Sequence, residues 1–137
     1  MTTTYRKPLP VATEETRPYW ESAKAHRLAL PRCTACGRFR FPPTTFCPHC
    51  LSDAGEWTPV SGRGSVYSFV IMHQVYDQAF KDDVPYNVAA VQLDEGPRLY
   101  TNLVEIANEA IRVGMPVSVV YEDVSAEITL VKFRPAG

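Results

Sequence analysis

Cys33-Thr34-Ala35-Cys36 and, after ten intervening residues, Cys47-Pro48-His49-Cys50 decide how this chain is read. Together they spell C-x2-C-x10-C-x2-C. Two thiolates separated by two residues grip one ion from a single tight turn. Two such turns, brought together, complete the tetrahedral four-thiolate shell that Zn²⁺ prefers. Gly37 suits the end of the first turn, because glycine takes positive φ without a steric penalty. The expectation is one structural zinc held by Cys33, Cys36, Cys47 and Cys50. A rubredoxin-like iron site uses the same ligands, so spacing alone does not separate the metals; zinc stands ahead of iron. His49, inside the second turn, reads as a solvent-facing residue. Four protein ligands leave no open position, so such an ion supplies folding energy and not Lewis-acid catalysis.

Outward from the cysteines, the chain has 137 residues, with 45% hydrophobic and 21% charged. That is the composition of an ordinary globular domain and excludes a disordered chain, a coiled coil or a collagen-like repeat. No apolar run approaches the roughly 18 residues of a spanning helix. The start, MTTTYRKPLP, has no apolar stretch behind its charges, so a cytoplasmic protein is expected and disulfides are not. Net charge is −1, but it is unevenly spread. Residues 1–63 carry nine Lys/Arg against five Asp/Glu, and residues 64–137 carry five against ten. The two halves read as different modules.

Three segments are expected: an arm and helix over 1–27, a zinc ribbon over 28–60 and a barrel over 61–137. Residues 1–12 read as an extended arm. A helix is expected from about Arg17 to Arg27, with Thr16 as N-cap, Pro18 in the first turn, and Lys24, His26 and Arg27 at the carbonyl end. Tyr19, Trp20 and Ala23 share one side of it, suited either to the core or to a partner. After the turn Ser61-Gly62-Arg63-Gly64 come five strand-like runs: 65–73, 87–93, 98–104, 117–123 and 127–133. A short helix is expected at 106–112, between the third and fourth. Five strands interrupted in that place follow the plan of the OB fold. The fold class is therefore mainly β with an N-terminal helix, a rubredoxin-like zinc ribbon followed by a five-stranded OB barrel. The segment 74–86 is too polar for a strand and long for a hairpin, and such loops tend to be functional.

Catalytic equipment is sparse. If the metal takes all four cysteines, no thiolate remains as a nucleophile. His26 and His73 are the other histidines, and no nucleophile–base arrangement surrounds His73. There is no G-x-S-x-G, phosphate loop or dinucleotide fingerprint. No catalytic residue is assigned. Arg32, Arg38 and Arg40 alternate with Phe39, Phe41 and Phe46, a mixture suited to phosphate and adenine. The alternative is a solvated basic face over a small phenylalanine core. Arg38, Arg40 and Phe41 are the candidate ligand-binding residues.

The order CTACGRFRFPPTTFCPHC, Trp57, SGRGSVYSF, PYNVAAVQLDEGPRLYTNLV and GMPVSVVYED resembles acyl-CoA-associated proteins that join a rubredoxin-like zinc ribbon to an OB fold, a family long known only as a domain of unknown function. The likeness runs from about Tyr19 to Phe133. It implies an accessory role beside a thiolase-like or hydratase-like subunit, binding or channelling acyl-CoA in sterol side-chain or aromatic-acid metabolism. Only Cys33, Cys36, Cys47 and Cys50 carry over as site residues. The sequence stops within four residues of the last expected strand, so the reacting groups are expected on another polypeptide. The competing class is a nucleic-acid-binding protein, since Tyr67, Phe69, Tyr86 and Tyr100 could stack bases. The acidic barrel half argues against it, because a polyanion needs a basic groove. Neither nucleic acid nor membrane is expected as a partner.

Overall fold

A computed structural model of the chain describes residues 7–136. The first half of the expected arm, residues 1–6, lies outside them. The helix α1 spans Arg17–Lys24. Strands β1 (Ala29–Cys33) and β2 (Gly55–Pro59) form an antiparallel hairpin. Strands β3 (Arg63–Met72), β4 (Tyr86–Leu93), β5 (Arg98–Thr101), β6 (Pro116–Asp123) and β7 (Thr129–Pro135) form one antiparallel sheet in the order β5-β4-β3-β6-β7. A parallel bridge between Leu103 and Phe133 joins the two edges. There, Val104 N–H donates to the Phe133 carbonyl at 2.8 Å. That closure and strand order are those of the expected OB barrel.

Helix α1 ends earlier than expected. His26 adopts φ 59°, in the left-handed region. Arg27 N–H donates to the Ser22 carbonyl and His26 N–H to the Ala23 carbonyl, both at 2.9 Å. These two bonds make a Schellman ending, with histidine in the place glycine usually takes. Thr16 does not cap the helix with its side chain. Its hydroxyl accepts from Thr13 N–H at 2.9 Å, and Thr13 Oγ1 accepts from Thr16 N–H at 3.2 Å. At 106–112 the expected helix is a single 3-10 turn, Asn108–Ala110. The loop 74–86 likewise carries one 3-10 turn, Gln78–Phe80, started by Asp77 Oδ1 accepting from Ala79 N–H at 2.8 Å.

One core runs through helix, hairpin and barrel. Tyr19, Leu28 and Leu30 are buried in the same cluster as Val66, Val91, Leu99, Val117 and Phe133. Tyr19 packs its ring 4.9 Å from Trp20 and 5.3 Å from Phe41. The aromatic side of the helix is thus spent on the chain's own interior: Tyr19 is buried and Trp20 packs partly buried beside it. It is not a free docking face. Helix and barrel also meet through His26, stacked 4.8 Å from Tyr121, and through Leu28 N–H, which donates to Tyr121 Oη at 2.8 Å. None of the described helices is long and apolar enough to cross a membrane.

Candidate metal centre and the adjoining groove

Both cysteine pairs lie in turns of the same construction. In the first, Gly37 N–H donates to the Cys33 carbonyl and Cys33 N–H to the Arg38 carbonyl, both at 2.8 Å. In the second, Leu51 N–H donates to the Cys47 carbonyl and Cys47 N–H to the Ser52 carbonyl, again at 2.8 Å. Backbone N–H groups also point at sulfur. Cys36 N lies 3.4 Å from Cys33 Sγ, and His49 N lies 3.4 Å from Cys47 Sγ. Cys33 sits at the end of β1, opposite Gly55 of β2, so the hairpin fixes the base of the first turn.

The four sulfurs all lie within 4.8 Å of one another. Cys33 Sγ is 3.5 Å from Cys50 Sγ, and Cys36 Sγ is 3.7 Å from Cys47 Sγ. Tetrahedral sulfurs at about 2.3 Å from one zinc stand about 3.8 Å apart, so the donor set fits that ion. Cys33 and Cys47 are buried, while Cys36 and Cys50 reach the surface. The electrostatics are those of thiols crowded together. The Cys36 N–H, chief among several donors, lowers the Cys33 thiol to about 6 against its burial. Burial pushes Cys47 up, but the N–H groups of His49 and Cys50 bring it below the ordinary thiol value. At Cys50 the Ser52 N–H pulls downward, yet the neighbouring sulfurs and lost hydration drive the thiol to about 11. The neighbouring sulfurs oppose a fourth negative charge, and a bound cation would let all four thiols ionise together.

Beside the turns, Arg38, Arg40 and Phe41 all line one groove of about 690 Å³, which reaches Glu95 and Pro97 at the β4–β5 turn. They differ in availability. Arg38 is exposed, and its Nη1 lies 2.9 Å from His49 Nδ1. A guanidinium can only donate, so His49 Nδ1 is the acceptor in that contact. Arg40 is 7% exposed. Its Nε donates to the Thr44 carbonyl at 3.0 Å, and its Nη1 has no partner among the described residues. Phe41 is half-buried against the core. Arg32, by contrast, lies over the Phe39 ring at 5.6 Å and donates from Nε to the Gly37 carbonyl. Phe46 is exposed. The phenylalanines therefore divide between the core and the surface. Sequence reading gave no sign that Arg40 would be buried, since three closely spaced arginines look alike until β1 and β2 fold over one of them.

Comparison with known proteins agrees with this architecture. A family profile described as the ChsH2 rubredoxin-like zinc ribbon domain matches residues 20–56, and one described as the ChsH2 C-terminal OB-fold domain matches residues 57–122. A protein of Thermomonospora curvata named as a probable enoyl-CoA hydratase alpha subunit is 42% identical over 130 residues, covering 95% of this chain and 40% of that protein. The benzoylsuccinyl-CoA thiolase subunit BbsA of Thauera aromatica is 35% identical over 72 residues, covering 53% of this chain and 48% of that protein. This chain thus matches less than half the length of either relative. A solved structure described as the Ltp2-ChsH2(DUF35) aldolase matches with a TM-score of 0.84 and 42% identity, over 94% of this chain and all of that one. The two profiles, in the order and places where the hairpin and the barrel lie, show that this chain belongs to the ChsH2 (DUF35) family of zinc-ribbon and OB-fold proteins.

Proposed function

We propose that this chain is a non-catalytic accessory subunit of an acyl-CoA-processing complex. It binds or channels the thioester and supports a thiolase-like or hydratase-like partner, with C–C bond formation or cleavage in sterol side-chain or aromatic-acid metabolism as the setting. The observation that carries this reading is the likeness over 94% of the chain to a structure described as the Ltp2-ChsH2(DUF35) aldolase. The chemistry supports it. Cys33, Cys36, Cys47 and Cys50 hold one zinc, which ties the two turns together and leaves none of these thiols to attack a thioester. The chain then contributes by positioning substrate and by shaping a neighbour's site. Arg38, with Arg40 and Phe41 behind it, offers the groove for the phosphate-bearing end of CoA. The outer wall of the barrel is the surface left for the partner, since the helix face is used internally.

Co-expression with a thiolase-like or hydratase-like protein encoded beside it tests this. The two are expected to elute together in size-exclusion chromatography, and acyl-CoA turnover is expected to fall when this chain is omitted. Separate elution with a fully active partner overturns the reading. A second reading, a single-stranded nucleic-acid binder, rests on exposed Tyr67 and Tyr100 and on Arg98, 3.8 Å above the Tyr67 ring. A salt-dependent mobility shift with single-stranded DNA would favour it.

A further inference from the structure

The loop 74–86 and the arm residues 7–10 meet at one end of the barrel and line a half-open cavity of about 600 Å³. Its apolar walls come from four separate segments: Leu9 of the arm, Phe80 of the loop, Leu103 after β5 and Leu130 of β7. The volume lies within the roughly 300–1,000 Å³ of small-molecule sites.

What the cavity offers a ligand follows from which polar atoms are already engaged. On the floor, Asn87 Nδ2 donates to the Leu103 carbonyl at 2.9 Å, and Asn87 Oδ1 accepts Leu103 N–H at 2.6 Å. Asn102 Nδ2 donates to the Asn87 carbonyl. At the rim, Lys7 Nζ lies 2.7 Å from Asp83 Oδ2, and Lys132 Nζ lies 3.1 Å from Glu122 Oε2. Charges at the mouth are matched in pairs, and the Asn87 side chain and the Asn102 Nδ2 are committed to hydrogen bonds within the protein. The lysines are already paired, so the site offers little to a phosphate, while its apolar walls suit an uncharged chain or ring.

We propose that this cavity receives the apolar acyl end of a CoA thioester, with the arm and the loop 74–86 forming part of its wall. The proposal rests on the acyl-CoA reading above and assigns the acyl group a place apart from the ribbon groove. The wall is held to the loop by the Lys7–Asp83 pair and by Lys7 over the Phe80 ring at 5.6 Å.

The test uses the full chain, titrated with CoA, acetyl-CoA, butyryl-CoA and octanoyl-CoA by calorimetry and by methyl NMR. Affinity is expected to rise roughly fourfold per added methylene until the cavity is filled. The methyl signals of Leu9, Leu103 and Leu130 are expected to shift with the longer chains and not with CoA. Phe80→Ala, in the loop and outside the barrel strands, is expected to weaken octanoyl-CoA roughly tenfold and leave CoA unchanged. Affinity independent of chain length, methyl shifts confined to other places, or no octanoyl-CoA binding at all would overturn the assignment. Failure here with co-elution intact removes the cavity alone. Loss of co-elution with the chain-length series intact removes the subunit reading alone.

Discussion

Gly37 and Leu51 occupy the same position in the two cysteine turns, each four residues after the leading cysteine and each with its N–H bonded to that cysteine's carbonyl at 2.8 Å. Both are left-handed, with φ 80° and φ 66° respectively. The first turn uses glycine for this, and the second forces a leucine into it. A side chain there costs roughly 1–2 kcal/mol, and Leu51 is 77% exposed, so little burial offsets the strain. Leu51→Gly is therefore expected to stabilise the ribbon by about 1 kcal/mol, and Gly37→Ala to destabilise it by a similar amount. Paired urea unfolding curves on the zinc-loaded protein check both signs; a Leu51→Gly protein less stable than the parent would contradict the argument.

The metal centre has a sharper consequence. With three sulfurs the shell is incomplete, and the second turn has little else to hold it, since Cys50, Leu51 and Phe46 are all exposed. Elemental analysis of reduced, purified protein is expected to give one zinc per chain, and Cys36→Ser to lower that content. Amide exchange in Cys36→Ser should accelerate across residues 30–55 while β3 to β7 stay protected. A parent protein without bound metal would remove the zinc from the account.

How far the sequence revealed this arrangement depends on the range of the interactions. The clustering of four thiols and the order of the five barrel strands follow from local patterns: cysteine spacing, and β-branched runs between glycines and prolines. What escaped notice was set by contacts distant in sequence or by unusual residues in familiar roles. His26 ends the helix in a conformation for which glycine is the usual signal. Leu51 does the same in the second turn. Asn87 stitches β4 to Leu103, sixteen positions onward, and reads in the sequence as an ordinary strand-edge polar residue. Arg40 became a buried cation only when Gly55 of β2 closed over it, leaving 3.2 Å between its Nη2 and where a Cβ would stand.

Gly64 shows a steric demand that a strand pattern hides. A Cβ there would lie 2.3 Å from the Gln92 carbonyl oxygen of the neighbouring strand. Backbone on β4 has little freedom to retreat, because Gly64 pairs with both Leu93 and Val117. Gly64→Ala is expected to cost about 3 kcal/mol, at the upper end for overpacking. A thermal melt unchanged within error would show that β3 and β4 can separate there without penalty.

The loop 74–86 should exchange its amides faster than β4 even though it is ordered in outline. Its 3-10 turn is held by the Asp77 cap and three short-range backbone bonds: Phe80 N–H to the Asp77 carbonyl, Lys81 N–H to the Gln78 carbonyl and Asp83 N–H to the Phe80 carbonyl. Few backbone bonds and exposed Asp82 and Asp83 mark a segment of low local stability. Hydrogen exchange followed by mass spectrometry is expected to show labelling of residues 76–84 well before residues 87–93. Equal protection in both segments would contradict this.

Asp123 makes a pH-dependent link between helix and barrel. It accepts from Thr129 Oγ1 at 2.5 Å, and His26 Nε2 stands 3.0 Å from its Oδ1. The Thr129 hydroxyl first, and His26 second, hold its carboxyl below the ordinary carboxylate value. A carboxyl depressed on folding releases its proton more readily in the folded chain than in the unfolded one. Its contribution is therefore fully present above the unfolded value of about 3.9 and is lost as pH falls through the lower folded value. Asp123→Asn should be less stable than the parent at pH 7, and the gap should narrow as pH falls below about 4. Urea midpoints of both proteins at pH 7 and pH 3 check the sign. A gap that widens on acidification would mean that another group, and not this carboxyl, carries the pH dependence at the helix–barrel junction.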